Sequence, residues 1–197
     1  MGIDYSRKIS GSIRESIAVK DKMLHSDALL QAIELAAGLM VHAYRHHGKV
    51  LWCGNGGSAA DAQHLSAELS GRFRKNRAPL FAEALHVNTS FLTAVGNDFG
   101  YDQVFSRMVQ AMGRSGDVLV AISTSGNSKN VVLAAQKAIE IKMPVVAFTG
   151  GNGGDLADHC DIEVRIPSTD TARIQEGHIL AGHIICELVE AEIFPDA

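Results

Sequence analysis

The period of the hydrophobic positions changes near residue 48. Before that point, Ile9, Ile13 and Ile17 recur every four residues, which is the spacing of one face of an α-helix. A second helix is predicted over residues 28–46. Together the two helices are predicted to form an N-terminal arm, residues 1–47, which serves either contacts between subunits or packing on the rest of the chain.

From residue 49 onward, short apolar runs alternate with longer amphipathic segments. Apolar runs of this length between turn residues predict buried strands, and the segments between them predict helices. The predicted strands are 49–53, 82–85, 117–123, 144–149 and 162–166, and the predicted helices are 59–70, 90–95, 104–112, 130–141, 156–159 and 171–190, with a loop at 96–101. This alternation indicates a three-layer α/β fold, in which helices cover both faces of a doubly wound parallel sheet. The length suits a single domain over residues 1–197.

The composition and charge of the chain argue against nucleic-acid and membrane partners. The 197 residues carry a formal net charge of -4 and their Lys and Arg residues are scattered, so no basic face for nucleic acid is expected. No apolar run reaches the length of a transmembrane helix, so no membrane partner is expected. The three cysteines are irregularly spaced, which predicts free thiols in a reducing, cytoplasmic compartment.

A glycine-rich loop follows the first predicted strand. It reads Gly54-Asn55-Gly56-Gly57-Ser58 and leads directly into an alanine-rich helical segment. Such a turn leaves backbone N–H groups unpaired at the helix start, where they can hold an anion or a sugar oxygen. In a parallel sheet the loop lies beyond the carboxyl end of its strand, where ligands bind. The sequence therefore predicts a binding loop here.

The same loop also matches a loose dinucleotide-binding fingerprint, Gly54-x-Gly56-x-x-Ala59. That fingerprint requires an acidic residue at the end of the second strand as well. Glu83 lies within the short second strand and not beyond it, which argues against NAD as the ligand.

A second strand–loop–helix unit carries four hydroxyl groups within six residues, those of Ser123, Thr124, Ser125 and Ser128. Together with Gly126 and the start of the next helix, they supply many neutral donors to a phosphate. A helix cap alone would need only one or two of these hydroxyls. Because the chain has no Walker-type lysine pattern, the loop predicts a phosphate-bearing ligand other than a nucleoside triphosphate.

Two predicted helices carry candidate metal ligands. His64 and Glu68 are four residues apart, so both lie on one helix face. Gln175 and His183 are eight residues apart on the last helix, a little over two turns, and face roughly the same way. The four form a mixed nitrogen and oxygen set that suits zinc, although a histidine on such a helix is more often structural.

Three further residues are candidates for the site. Asn97 and Asp98, in the predicted loop at 96–101, are either turn residues or hydrogen-bonding partners of sugar hydroxyls. Asp61 lies one turn before His64 and is a candidate to orient that imidazole.

The chain resembles the sugar isomerase domain family over almost its entire length, and within it the branch that isomerises heptose phosphates. The segments that carry the resemblance are residues 53–64 (Cys-Gly-Asn-Gly-Gly-Ser-Ala-Ala-Asp-Ala-Gln-His), Glu68, residues 94–98 (Ala-Val-Gly-Asn-Asp), residues 123–128 (Ser-Thr-Ser-Gly-Asn-Ser), and residues 173–178 (Arg-Ile-Gln-Glu-Gly-His) with His183. The resemblance implies a flavodoxin-like sheet and a bacterial cytoplasmic homotetramer whose active sites are shared between subunits.

The resemblance also implies a reaction and a set of site residues. The reaction would convert D-sedoheptulose 7-phosphate to D-glycero-D-manno-heptose 7-phosphate, the first step toward the ADP-heptose of the lipopolysaccharide inner core. One zinc ion per subunit would be bound by His64, Glu68, Gln175 and His183. The substrate would be bound by Asn55, Gly56, Gly57, Ser58, Glu68, Asn97, Asp98, Ser123, Thr124, Ser125, Ser128 and Gln175.

An aldose–ketose isomerase moves a proton between C1 and C2 through an enediol(ate), which requires a base, an acid and a group that stabilises charge on oxygen. Glu68 is the candidate base and His183 the candidate acid.

Some relatives with the same fold are non-catalytic regulators that bind a replication-initiator protein, and the family comparison implies that they lack the acidic residue at position 68 and the histidine at position 183. Both are present here, which favours the enzyme. A phosphosugar-sensing module of a transcription regulator would need a DNA-binding segment, and none is evident.

Overall fold

In the computed structural model, which describes residues 3–196, two N-terminal helices precede five β-strands that alternate with further helices. The α-helices are α1 (Tyr5–Leu24), α2 (Asp27–Arg45), α3 (Gly57–Ser70), α4 (Thr89–Phe99), α5 (Val104–Met112), α6 (Lys129–Glu140) and α7 (Thr171–Ile193). Short 3₁₀ helices lie at Tyr101–Gln103 and at Asp155–His159, where the sequence predicts the short helix at 156–159. The strands are β1 (Val50–Gly54), β2 (Ala82–Ala84), β3 (Val118–Ile122), β4 (Val145–Gly150) and β5 (Ile162–Ile166). The predicted domain extends to Met1, Gly2 and Ala197, which lie outside the described residues, and its extent stays a prediction.

The five strands form one parallel sheet in the order β2-β1-β3-β4-β5. Successive side chains of a strand point to opposite faces of the sheet. Accordingly, Val50 and Trp52 are buried with side chains of α2, α3 and α7, whereas Leu51 and Cys53 are buried with side chains of α4, α5 and α6. The prediction of a three-layer, doubly wound, flavodoxin-like sheet is therefore confirmed.

The strand order reverses beside β1. The chain passes from β1 to β2 on one side and then crosses to β3 on the other. At such a point the connections leave in opposite directions and open a crevice beyond the carboxyl ends of the two strands. The loop after β1, residues 55–56, and the loop after β3, residues 123–128, flank this crevice. The topology thus brings the two predicted binding loops together.

The helices that follow these two loops begin differently from most others. At the start of α1, α2, α4 and α7, a polar side chain accepts a hydrogen bond from a backbone N–H of the first turn; these caps are Asp4, Ser26, Asn88 and Asp170. α3 and α6 begin without such a bond, with Gly56 and Ser128 at their cap positions. No side-chain cap therefore occupies the first N–H groups of α3 and α6.

The predicted loop at 96–101 is wrong over most of its length. α4 continues to Phe99, so Asn97 and Asp98 lie on its last turn. A glycine inside a helix costs only about 1 kcal/mol relative to alanine, so Gly96 does not end the helix. The helix ends instead at Gly100, whose φ of +85° takes the backbone out of the helical region.

The two N-terminal helices are packed differently. α2 buries one face against α7 and β5 and belongs to the core. α1 buries Val19 and Met23, while Ile9, Ile13 and Ile17 are 55–60% exposed. Within residues 3–196 no single helix is long and apolar enough to cross a membrane. α1 and α2 reach the length and apolar composition of a membrane-spanning segment only when they are taken together, as a pair bent by 76°.

Candidate functional site

Three of the four predicted metal ligands meet where α3 packs beside α7. Nε2 of His64 lies 2.9 Å from Nε2 of His183 and 3.3 Å from Oε1 of Glu68. One ligand atom from each residue lies within 4.8 Å of the other two. The His64 side chain is half exposed, so the group opens to the surface of the chain. We call these two imidazoles and one carboxylate the His–Glu–His cluster.

Glycines allow α3 and α7 to approach each other closely. A Cβ at Gly182 would overlap the side chain of Leu65, the residue after His64. A Cβ at Gly57 would likewise overlap the side-chain amide of Gln175. Because neither Cβ is present, the two helices lie near enough for His64 and His183 to meet.

Gln175, the fourth predicted ligand, lies toward the start of the same helix pair. Its amide packs against Gly57, which precedes His64 by seven residues, or about 10 Å of helix axis. There it borders the first predicted binding loop, where an amide can also hydrogen-bond a sugar oxygen. Its role as a metal ligand stays a prediction.

The surroundings of His183 favour its neutral form. Burial and the neighbouring His64 lower the pKa of His183 below its ordinary value, and the Glu68 carboxylate opposes them. The ring of Phe73 stacks on the His183 imidazole, with centroids 5.5 Å apart and planes 18° from parallel. A neutral imidazole offers a lone pair that can bind a metal ion or accept a proton.

The chemistry of the cluster fits zinc. Imidazole nitrogen and carboxylate oxygen are two of the three ligand types that zinc takes in proteins, and catalytic zinc sites use three protein ligands with one open position. The cluster offers two imidazoles and one carboxylate on a partly exposed face. His64, Glu68 and His183 are therefore the residues that would hold the ion.

A reciprocal pair of amides joins the first candidate loop to the first turn of α6, the helix that follows the second candidate loop. Nδ2 of Asn55 donates to Oδ1 of Asn130 at 2.8 Å, and Nδ2 of Asn130 donates to Oδ1 of Asn55 at 2.9 Å. The Tyr101 hydroxyl donates to the same Asn55 oxygen at 3.2 Å. Neither Asn130 nor Tyr101 belongs to a recognisable sequence pattern, because they meet Asn55 only in the fold.

The four hydroxyls of the loop after β3 surround a single turn. Ser123 is buried, Thr124 and Ser128 are half-buried, and Ser125 is exposed. Oγ of Ser123 donates to Oγ of Ser128 at 3.0 Å across the turn. The turn leads into α6, whose start has no side-chain cap. Hydroxyls and backbone N–H groups in this arrangement can donate several hydrogen bonds to one phosphate.

The glycine-rich turn after β4 packs against the loop that follows β3. Gly126 has a φ of +69°, and a Cβ there would overlap the carbonyl oxygen of Gly153. The N–H of Leu156 donates to the Gly126 carbonyl at 2.9 Å, and the N–H of Asp155 donates to Oδ1 of Asn127 at 3.0 Å. The shape of the hydroxyl loop thus depends on a turn that carries no ligand-binding pattern of its own.

The remaining predicted residues take no part in these side-chain hydrogen bonds. Asn97 and Asp98 are exposed, and Nδ2 of Asn97 donates to Oδ1 of Asp98 at 2.9 Å. Ser58 is buried in the first turn of α3. Burial raises the pKa of the Asp61 carboxyl to about 6, against the opposing effect of His64, and its Oδ2 is buried without a partner. Within residues 3–196 no hydrogen bond joins Asp61 to His64, so the predicted orienting contact is not formed.

Comparisons with known proteins cover nearly the whole chain. The SIS domain family model matches residues 14–150. The phosphoheptose isomerase of Rhodospirillum rubrum is 58% identical over 81% of this chain and 85% of its own length, and that of Clostridium acetobutylicum is 48% identical over 94% and 95%. The solved structure of the phosphoheptose isomerase from Neisseria gonorrhoeae matches with a TM-score of 0.89 at 46% identity, covering 94% of this chain and 98% of that one.

Proposed function

The chain belongs to the SIS domain family and is a phosphosugar isomerase, and we propose that it converts D-sedoheptulose 7-phosphate to D-glycero-D-manno-heptose 7-phosphate. The observation that carries the proposal is the His–Glu–His cluster, in a chain 46–58% identical to proteins named phosphoheptose isomerases. A carboxylate beside two imidazoles suits the proton transfers that an aldose–ketose isomerisation requires.

In the proposed reaction, Glu68 removes a proton from C1 of the ketose. The electrons of the C–H bond form the C1–C2 double bond of an enediol(ate), and the C2 carbonyl oxygen accepts a proton from His183. Return of a proton to C2 and loss of the proton on the C1 oxygen then give the aldose. No external oxidant or reductant is needed, because C1 is oxidised as C2 is reduced.

A zinc ion held by His64, Glu68 and His183, with Gln175 as the predicted fourth ligand, would supply a Lewis acid that stabilises negative charge on the sugar oxygens. Glu68 would then serve both as a ligand and as the base. The lowered pKa of His183 supports its use as a ligand, since a metal ion binds the neutral imidazole.

The loops at the crevice would hold the rest of the substrate. Ser123, Thr124, Ser125 and Ser128 would donate hydrogen bonds to the 7-phosphate and thereby fix the register of the sugar. Sugar oxygens would be bound by the other predicted residues, namely Asn55, Gly56, Gly57, Ser58, Asn97, Asp98 and Gln175. The direct test is whether the purified chain isomerises D-sedoheptulose 7-phosphate in an assay coupled to consumption of the aldose product.

The reaction would be the first step toward the ADP-heptose of the lipopolysaccharide inner core, in the cytoplasm. Cys53 and Cys186 are buried free thiols, which suits a reducing compartment. The pathway step is tested by measuring whether cells that lack the protein also lack ADP-heptose. The location is tested by fractionating cells that contain the protein, which should recover it in the cytoplasmic fraction.

We propose further that the enzyme is a homotetramer whose active sites are shared between subunits. Ile9, Ile13 and Ile17 form an exposed apolar stripe on α1, which a second copy of the chain can cover. Replacing Ile13 by glutamate would put a charge in that contact. We expect light scattering to give about 84 kDa for the unsubstituted protein, four times the 21.0 kDa of one chain, and a smaller mass with reduced turnover for Ile13→Glu.

The control is Ala18→Glu, which introduces the same carboxylate about 140° round the helix from position 13. Residue 18 is exposed, so its substitution should leave both mass and turnover unchanged. A tetramer that survives Ile13→Glu would show that the stripe is not the contact surface.

A further inference from the structure

A buried carboxylate on α7 organises the chain that follows α3. Glu190 is 2% exposed and lies seven residues after His183 on the same helix. It accepts hydrogen bonds from the backbone N–H groups of Phe73, Arg74 and Lys75, at 3.1, 2.7 and 2.8 Å. These contacts fix residues 71–77, hereafter the post-α3 segment, against α7.

Arg77 extends this arrangement to α3 itself. Its side chain is fully buried, and its Nε donates to Oε2 of Glu190 at 2.8 Å. Nη2 donates to the main-chain carbonyl of Glu68 and Nη1 to that of Leu69, both at 2.8 Å. These carbonyls belong to the last turn of α3, where intrahelical donors run out and a cation is favourable. The guanidinium therefore holds the backbone of Glu68, the residue proposed as base and ligand.

The same segment also reaches His183. Phe73, whose N–H is held by Glu190, stacks its ring on the His183 imidazole. One buried ion pair is thus connected to both proton-transfer residues, to Glu68 through Arg77 and to His183 through Phe73.

We propose that Arg77, Glu190 and Phe73 are positioning residues, which hold Glu68 and His183 in the relative geometry that isomerisation and metal binding require. This inference rests on the proposed function. Groups that orient ligands in this way typically change activity or metal affinity by about 10- to 100-fold when they are removed. An ion pair that served only the stability of the fold would change neither quantity in the folded protein.

Arg77→Lys tests the proposal most directly. Lysine keeps the positive charge beside Glu190 but cannot reproduce the fork of donors to two carbonyls. We expect kcat for D-sedoheptulose 7-phosphate to fall about 10- to 100-fold and the zinc Kd, measured by chelator competition, to rise by a similar factor. KM should change less than about threefold, because the hydroxyl loop that holds the phosphate is not contacted by Arg77.

The matched control is Glu187→Gln, which breaks the ion pair between Arg74 and Glu187. That pair joins the same segment to the same helix but is largely exposed, so kcat and zinc Kd should stay unchanged. If Arg77→Lys lowers only the melting temperature, with kcat and zinc Kd within twofold of the unsubstituted protein, the proposal is overturned.

Phe73→Leu tests the positioning role if Arg77→Lys does not fold. Leucine keeps the post-α3 segment apolar at this position but removes the stacked ring, and we expect kcat and zinc affinity to fall about 3- to 10-fold. Unchanged values would overturn the proposal. If the unsubstituted chain binds zinc but does not isomerise D-sedoheptulose 7-phosphate, the proposed function is overturned, and the zinc Kd values of the variants still test the positioning role. If the unsubstituted chain neither binds zinc nor isomerises the substrate, the proposed function and the positioning role are both overturned.

Discussion

Replacing Glu68 by glutamine is expected to lower kcat by about 10²- to 10⁴-fold, the usual contribution of a general base. Glutamine has the same shape and keeps one oxygen where the carboxylate lies 3.3 Å from Nε2 of His64, but it cannot accept a proton from carbon at neutral pH. Coupled-assay kinetics and circular dichroism on the same preparation would separate lost chemistry from lost folding. A folded Glu68→Gln enzyme whose kcat stays within threefold would contradict the assignment of the base.

Zinc titration separates the two proposed roles of Glu68. If it is the base, turnover stays low when the Glu68→Gln variant is saturated with zinc. If excess zinc restores full turnover, Glu68 acts only as a ligand and another group is the base.

Substituting alanine for Gly126 is expected to disrupt the hydroxyl loop. The residue has a φ of +69°, and the added Cβ would overlap the backbone carbonyl oxygen of Gly153, which no side-chain rotation can relieve. Left-handed strain and overpacking together should lower the free energy of unfolding by about 2–5 kcal/mol. Because Ser123 to Ser128 would shift, the enzyme should lose at least one hydrogen bond to the phosphate, and KM should rise about 10- to 100-fold.

The matched control is Gly116→Ala, in the turn before β3. Gly116 has a φ of +89° but no atom lies within 4 Å of an added Cβ, so the substitution introduces strain without overlap. It should cost about 1–2 kcal/mol of unfolding free energy and leave KM unchanged. Equal KM values for the Gly126→Ala variant and the unsubstituted enzyme would contradict the role of the loop in phosphate binding.

Most of the fold can be predicted from local sequence patterns. All five strands are predicted to within one residue at each end, because a strand buried on both faces is a continuous apolar run between turn residues. The largest difference is at the end of α4. There the sequence offers two glycines, Gly96 and Gly100, and only backbone conformation distinguishes the one that ends the helix.

The two candidate binding loops can be recognised in the sequence for the same local reason. Glycines and hydroxyls that present backbone N–H groups and side-chain donors do so from within one short segment. The pairing of Asn55 with Asn130, and that of Arg77 with Glu190, joins residues 75 and 113 positions apart, and no local pattern specifies them. Such partners are set by the packing of elements that are distant in sequence.

The proposed reaction and its metal site are tested together by comparing isomerisation of D-sedoheptulose 7-phosphate by metal-stripped and zinc-restored protein. We expect little turnover after stripping and recovery with about one zinc ion per subunit, which would assign the His–Glu–His cluster to the reaction. Full turnover without metal would retain the isomerase and contradict the catalytic role of zinc. No turnover in either state by a correctly folded chain would contradict the proposed function, and would favour a non-catalytic regulator whose binding to a replication-initiator protein a pull-down can detect.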